Sequence, residues 1–205
     1  MIESLVSFAL ATLLLALSPG PDNIFVLTQS VARGSKIGIA IATGLITGCI
    51  AHTSLVAFGF AVVIRDNEWL LLGIKIAGAI YLLYLAFQVF KSDPSISLKD
   101  SQTSQGNWWE MFKIGVTMNI LNPKVSLFFL ALLPQFVVQN DTPEWIQIYI
   151  LGIIFMSVSL VVFYSIALLA GRAAMFIKNS NWFPFFMKWL QIVVFVGIAV
   201  LILIP

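Results

Sequence analysis

The stretch Leu17-Ser18-Pro19-Gly20-Pro21-Asp22-Asn23 interrupts an otherwise apolar segment that runs from residue 4 to about residue 30. Proline has no backbone N–H, and inside a helix its ring collides with the carbonyl four residues earlier. The two prolines therefore remove the helical hydrogen bonds of the carbonyls of Leu15 and Leu17. The stretch predicts a helix that is unwound here, with a glycine and an acid in the break.

A second stretch, Asn119-Ile120-Leu121-Asn122-Pro123-Lys124, interrupts a later apolar segment over about residues 111–138. Pro123 removes the helical partner of the Asn119 carbonyl in the same way. A freed backbone group in hydrocarbon costs several kcal/mol, so it must be packed in protein or line a watered cavity. Pro123 alone is compatible with a simple kink, whereas two prolines, a glycine and an acid within six residues exceed one.

The composition is that of a protein solvated by lipid. Of the 205 residues, 60% are hydrophobic and only 10% are charged, and the mean hydropathy is +1.00. Soluble domains carry roughly 25% charged residues. No Lys/Arg cluster indicates a nucleic-acid partner, and the single cysteine, Cys49, excludes an internal disulfide. Glu3 stands where a cleaved signal peptide has basic residues, so the first segment is expected to be a retained helix.

Six apolar segments predict an all-α integral membrane protein, because crossing a bilayer core takes roughly 20 residues of helix. The segments are about 4–30, 37–64, 69–90, 111–138, 145–171 and 189–204. We interpret the chain as a single membrane domain, 1–205. Its first repeat covers about 1–90, a polar loop follows over about 91–110, and the second repeat covers about 111–205.

The basic residues predict the orientation of the helices, since cytoplasmic connectors are enriched in Lys and Arg. Eight of them fall in the connectors after the first, third and fifth segments: Arg33, Lys36, Lys91, Lys99, Lys113, Arg172, Lys178 and Lys188. The other side has only Arg65, together with the acids Asp66, Glu68, Asp141 and Glu144. We therefore expect cytoplasmic basic connectors and both termini in the periplasm. The tryptophans are expected at interfaces near helix ends: Trp69, Trp108, Trp109, Trp145, Trp182 and Trp189.

Two sets of three helices cross a membrane in opposite senses, which is the arrangement of an inverted-topology repeat. Helices 1 and 4 occupy corresponding positions in the two sets, and both are interrupted by proline. In transporters, interrupted helices at corresponding positions of two repeats form the binding site. The pattern therefore predicts a solute site where the breaks at Pro19, Gly20 and Pro21 meet the break at Pro123.

Three charges lie inside the apolar segments, where each costs about 2.5–3.5 kcal/mol or more. Asp22 and Lys124 are expected at depths of roughly 12 and 16 Å from the same side, so they can share one cavity. Asp22 can bind an ammonium or exchange a proton, or it can simply be an N-cap. Lys124 can bind a carboxylate or pair with Asp22. Lys75 is a gate or pathway residue, or extends to the interface.

The remaining polar candidates flank the breaks or lie in helix 2. Asn23, Asn119 and Asn122 can satisfy freed backbone groups or contact a solute. His52, the only histidine, is either a proton relay or a packed, hydrogen-bonded residue of the bundle.

These motifs resemble those of the LysE/RhtB family of amino-acid exporters. The resemblance rests on Leu17–Asp22, on the glycines of residues 34–48, on residues 75–85 and on Asn119–Lys124. It covers most of the chain, and the first and last motifs are the more specific. It implies a multi-pass permease of the bacterial inner membrane that exports amino acids or their analogues by proton antiport. It implies no cofactor, and it is compatible with a homodimer.

A neutral amino acid is favoured because the helices contain no further acid for a cationic side chain. A second hypothesis is a divalent metal-ion exporter of the same superfamily, although a lone His52 and Cys49 argue against a transition-metal site. A third hypothesis is a membrane-embedded enzyme or a structural subunit. An enzyme needs a nucleophile with a base, and nothing in the sequence pairs Ser18 with His52. We therefore expect no catalytic activity and no bound metal.

Overall fold

The computed structural model describes residues 2–59, 67–93, 106–139, 141–180 and 182–204. These residues form helices throughout, with a short 3₁₀ turn at Leu133–Phe136. The α-helices are α1 Ile2–Leu17, α2 Pro21–Arg33, α3 Ser35–Gly59, α4 Glu68–Lys91, α5 Trp108–Ile120, α6 Pro123–Leu132, α7 Glu144–Leu168, α8 Ala170–Asn179 and α9 Trp182–Leu203. Among these, α3, α4, α7 and α9 can each cross a membrane alone, and two bent pairs bring the number of spans to six.

Both predicted helix breaks are present. The chain bends by 56° between α1 and α2 and by 52° between α5 and α6. Each second half begins with proline at its first position, Pro21 in α2 and Pro123 in α6, where the missing N–H has no helical partner to lose. Gly20 and Asn122 are the respective N-caps. The expectation of an all-α membrane protein with helices 1 and 4 broken at these prolines is therefore confirmed.

The helix contacts match an internal two-fold arrangement. Helix α3 packs on α7, and α4 packs on α9, so each of these pairs joins equivalent spans of the two repeats. Helix α3 also packs along α5, while α7 packs on α1 and α2. The contact of α3 with the fourth span therefore corresponds to the contact of α7 with the first span. This correspondence is expected for a 3+3 inverted repeat.

The three basic connectors lie on one face of the bundle, which we call the basic face. Arg33 at the end of α2 donates a hydrogen bond to the carbonyl of Gly106, just before α5. Lys188 in α9 donates to the carbonyl of Ser92, at the end of α4, at 2.7 Å. Helix α2 also packs on α8, which follows α7. Three of the charges used for the orientation, Arg65, Asp66 and Lys99, lie outside the described residues.

Two sequence-based boundaries are wrong. The connector expected after residue 171 is mostly helical, because α7 ends at Leu168 and α8 follows. The last span begins at Trp182 rather than near Trp189, so Trp189 lies in the second turn of α9 instead of at its end. Pro184 is tolerated because it falls in the first turn, where backbone N–H groups have no helical acceptor.

Small residues let α3 and α5 approach closely beside the second break. A Cβ added to Gly44 would overlap the carbonyl of Phe112, and one added to Gly115 would overlap the carbonyl of Ile41. A Cβ at Gly48 would lie 2.7 Å from the side chain of Asn119. The absence of these side chains therefore determines where the end of α5 can lie.

Helix α4 presents an apolar stripe outward. Its exposed residues recur every three or four positions, as on one face of a helix: Leu72, Ile76, Ile80, Leu83, Phe87 and Phe90. Such a long apolar face is stable only against lipid or another apolar surface.

Candidate functional site

A small cavity lies between the two breaks. Its volume is about 40 Å³, which is enough for about three water molecules. Its polar lining comes from α2, α3, α5, α6 and α7: Asp22, Asn23, Cys49, Asn119, Lys124 and Ser159. Four of the five residues predicted to bind solute therefore line one cavity. The fifth, Asn122, is hydrogen-bonded to one of them, Asp22.

Asp22 is buried in the first turn of α2, with 9% of its surface exposed. One carboxylate oxygen accepts a hydrogen bond from Asn122 Nδ2 at 2.8 Å. The interpretation of Asp22 as an N-cap is wrong: Pro21 takes the first helical position, Gly20 becomes the cap, and Asp22 makes no capping bond. The acid is therefore anchored to the other repeat and available to the cavity.

Lys124 is half-buried in the first turn of α6. Its Nζ lies 5.0 Å from the centre of the Phe195 ring, a cation–π distance. A Cβ built on Gly20 would lie 3.5 Å from the same nitrogen. Lys124 and Asp22 line the same cavity and attract each other electrostatically, while the Asp22 carboxylate accepts its hydrogen bond from Asn122. Both interpretations of Lys124, as a carboxylate-binding group and as a partner of Asp22, stay predictions.

Two asparagine side chains form hydrogen bonds with free backbone groups at the breaks. Asn23 Nδ2 donates to the carbonyl of Ala16 at 2.7 Å, replacing a helical bond lost at the first break. Asn122 Oδ1 accepts from the backbone N–H of Lys124 at 3.0 Å and so caps α6. Since Asn122 also donates to Asp22, one side chain connects the starts of α2 and α6.

His52 bonds to the Asn119 carbonyl, which Pro123 cannot bond and which also accepts from the Asn122 N–H at 3.0 Å. Its Nε2 lies 3.1 Å from the carbonyl oxygen of Asn119, so this nitrogen must carry the proton that is donated. The ring is buried and packs on Phe129 at 5.7 Å. This is the geometry of a packed, hydrogen-bonded histidine, and His52 does not line the cavity.

Two residues that line the cavity each have a buried polar atom without a hydrogen-bond partner. They are Oδ1 of Asn119 and Oγ of Ser159, each on a buried residue that lines the cavity. A buried unpaired polar atom costs about 1–3 kcal/mol, so such atoms suit a ligand that supplies the partner. Sequence reasoning missed Ser159, because serines in helices usually bond to their own backbone, as Ser165 does to Val161 at 2.7 Å.

Lys75 is the one predicted site residue that lies apart. It is half-buried on α4 and does not line the cavity. Its assignment as a gate or pathway residue stays a prediction.

Comparison with known proteins identifies the family. A sequence model of the LysE type translocators matches residues 13–205, which includes both breaks and the whole cavity. The chain belongs to the LysE type translocator family. The resemblance of its motifs to this family is therefore confirmed.

Relatives within the LysE type translocator family align over most of the chain. A homoserine/homoserine lactone efflux protein of Salmonella typhimurium is 34% identical over 175 residues, which are 85% of this chain and 84% of that protein. Its counterpart in Salmonella typhi is 33% identical over the same shares. The uncharacterized membrane protein YrhP of Bacillus subtilis is 29% identical over 91% of this chain and 92% of its own length. No solved structure matches the chain.

The structure also bears on the metal-ion exporter and enzyme hypotheses. Among the described residues, no three His, Cys, Asp or Glu side chains approach closely enough to hold a metal ion. Ser18 and His52, the loose candidates for a nucleophile and a base, are not bonded to each other, since the Ser18 hydroxyl has no partner and His52 is bonded to Asn119.

Proposed function

We propose that this protein is a secondary transporter that exports zwitterionic amino acids or close analogues. One observation carries the proposal: Asp22 and Lys124 line a single cavity between two broken helices, and the Asp22 carboxylate accepts its hydrogen bond from Asn122 rather than from Lys124. Charges are costly to bury in a membrane protein, and such charges mark substrate pathways. A ligand with a cation at one end and an anion at the other compensates both.

Each group has a role in this proposal. Asp22 accepts the ammonium of the ligand, since a carboxylate has free lone pairs beyond the one used by Asn122. Lys124 donates to the ligand carboxylate, and the N-terminus of α6, where Lys124 is the second residue, adds positive potential. The unpaired Asn119 Oδ1 and Ser159 Oγ bond to a polar side chain or to the ammonium.

Homoserine, or a similarly small neutral amino acid, is the substrate that we favour. Two aligned relatives are named as efflux proteins for homoserine and its lactone. A side-chain hydroxyl can donate to Asn119 Oδ1 and accept from Ser159, both unpaired in this structure. Among the described residues, Asp22 is the only acid that lines the cavity, so they offer no second carboxylate for a cationic side chain.

The transport cycle requires the cavity to open, because about 40 Å³ holds only water. In our proposal the basic face is cytoplasmic and both termini are periplasmic, as the positive-inside rule predicts. Asp22 alternates between a proton and the ligand ammonium, which couples export to the proton gradient of the bacterial inner membrane. A homodimer through lipid-facing helices is compatible with this cycle but not required by it.

Counterflow in proteoliposomes tests the function. Vesicles loaded with unlabelled homoserine should accumulate radiolabelled homoserine, and Asp22→Asn should abolish this while the protein remains folded and inserted. Asp141→Asn is the matched control, because Asp141 is an exposed acid outside the cavity. Full transport by Asp22→Asn would refute the assigned role of Asp22.

Two further readouts test the coupling ion and the metal-ion exporter hypothesis. Homoserine efflux from loaded vesicles should acidify the lumen if protons enter in exchange, and a pH-sensitive dye in the lumen measures this. In detergent, stabilisation of the purified protein by divalent cations but by no amino acid would instead favour the cation exporter.

A further inference from the structure

A second, larger cleft lies on the other side of the first helix break, towards the basic face. Its volume is about 260 Å³, enough for roughly 20 water molecules, and we call it the vestibule. It is lined by Pro19, Gly20, Pro21, Ile24, Val89, Ser92, Asp93, Pro184, Met187, Lys188 and Gln191. The vestibule is therefore enclosed by the break, the end of α4 and the start of α9.

Among the described residues, one cation and one anion line the vestibule, and they do not pair with each other. Lys188 Nζ donates to the carbonyls of Phe90 at 2.8 Å and Ser92 at 2.7 Å. An ammonium has three N–H donors, so one remains for a ligand. Asp93 is exposed and makes no hydrogen bond or ion pair with any described residue.

The vestibule comes close to the inner cavity at Gly20, a residue without a side chain. Gly20 lines the vestibule, and a Cβ at its position would lie only 3.5 Å from Nζ of Lys124, which lines the cavity. Pro19 and Pro21, on either side of Gly20, lack N–H groups and therefore donate no backbone hydrogen bonds that would fix the chain at this point.

A neighbouring apolar cleft contrasts with the vestibule. It has a volume of about 540 Å³ and is lined largely by Leu, Ile and Phe side chains, including Leu27, Phe183 and Phe186. None of the described residues that line it is charged, so these residues do not compensate the charges of an amino acid.

We propose that the vestibule is a loading site that holds a zwitterionic amino acid before the break opens. Lys188 binds the ligand carboxylate, Asp93 binds its ammonium, and movement of the chain at Gly20 passes the ligand to Lys124 and Asp22. This proposal rests on the proposed function. It adds a second binding site for the same class of ligand, one residue away from the first.

Protection of an introduced cysteine tests whether ligand occupies the vestibule. Gln191→Cys places a thiol in the lining of the vestibule. The native Cys49 is only 1% exposed, so labelling of the wild-type protein measures the background reaction. The probe is a membrane-impermeant, positively charged methanethiosulfonate. Homoserine at ten times its dissociation constant should slow labelling about tenfold by mass action. Lys91→Cys is the matched control, because Lys91 is exposed at the same end but outside the vestibule.

Protection of the same thiol tests the role of Lys188. In the Gln191→Cys background, Lys188→Gln removes the charge, and we expect it to raise the homoserine concentration that gives half-maximal protection about tenfold or more, as for a lost charge-assisted bond. Lys91→Gln in the same background should leave this concentration unchanged. A variant whose only defect is misfolding would show labelling that homoserine does not slow at any concentration.

The outcomes separate the two proposals. If the wild type carries homoserine while labelling of Gln191→Cys is not slowed, the loading site is refuted and the exporter function stands. If no amino acid is carried and none protects the thiol, both are refuted. If Lys188→Gln leaves the half-protecting homoserine concentration unchanged, Lys188 acts only by holding α4 to α9, and its assignment as a ligand-binding residue is wrong.

Discussion

Replacing Asn122 with serine separates the two interactions of this side chain. Its Oδ1 caps α6 by accepting from the Lys124 N–H at 3.0 Å, and its Nδ2 donates to Asp22 at 2.8 Å. Serine is as favourable an N-cap as asparagine. Asn122→Ser therefore keeps the cap and removes the bond between the repeats.

The expected decrease in the free energy of unfolding follows from the hydrogen bond between Asn122 and Asp22. A hydrogen bond to a charged group contributes about 1.5–3 kcal/mol in soluble proteins. Polar contacts between membrane helices reach only about 1.7 kcal/mol, because the unfolded chain in the membrane also finds partners. We expect Asn122→Ser to lower the free energy of unfolding by about 1–2 kcal/mol.

Asn107→Ser is the matched control for this substitution. Asn107 caps α5 by accepting from the Glu110 N–H at 3.1 Å, and it makes no bond to a buried acid. The free energy should be measured by reversible unfolding in mixed detergent micelles. In the Asp22→Ala background, Asn122→Ser should cost much less, because the partner is already gone. Equal losses for Asn122→Ser and Asn107→Ser, or additive losses with Asp22→Ala, would refute this account of the site.

Two further substitutions test packing and ligand contact. Gly44→Ala should lower the melting temperature in detergent clearly more than Gly73→Ala. The reason is that a Cβ at Gly44 overlaps the Phe112 carbonyl, while a Cβ at Gly73 meets open space. Similar melting temperatures for the two variants would contradict the close approach of α3 and α5. Ser159→Ala should leave the stability unchanged or slightly raised, because it removes an unpaired buried hydroxyl, yet raise KM for homoserine in counterflow. An unchanged KM would exclude Ser159 from ligand contact.

The positions of the breaks could be predicted from sequence because their cause is local. Pro21 and Pro123 cannot occupy a helix interior but fit its first position, so each interruption and each restart follows from the residue itself. The family resemblance followed from the same stretches. The helical start of the last span was missed because Pro184 is acceptable in a first turn, and residue type alone does not say which turn it occupies.

The pairing inside the site could not be predicted in the same way. Depth along the helices placed Asp22 and Lys124 at similar levels, but depth does not fix rotation about each helix axis. The structure turns Asn122 rather than Lys124 onto Asp22, and Lys124 onto Phe195. Ser159 lies in a largely apolar helix, where only the tertiary packing shows that the residue lines the cavity and that its hydroxyl has no partner.

The double attachment of Asn122 has a mechanical consequence. Whatever draws the Asp22 carboxylate away, a proton or a ligand amine, releases an amide whose other end holds the opening peptide of α6. If Asp22 exchanges a proton and a ligand as proposed, its occupancy would be transmitted to the second helix break through a single side chain, with no relay of intervening residues. Such a short linkage would let the two broken spans move together.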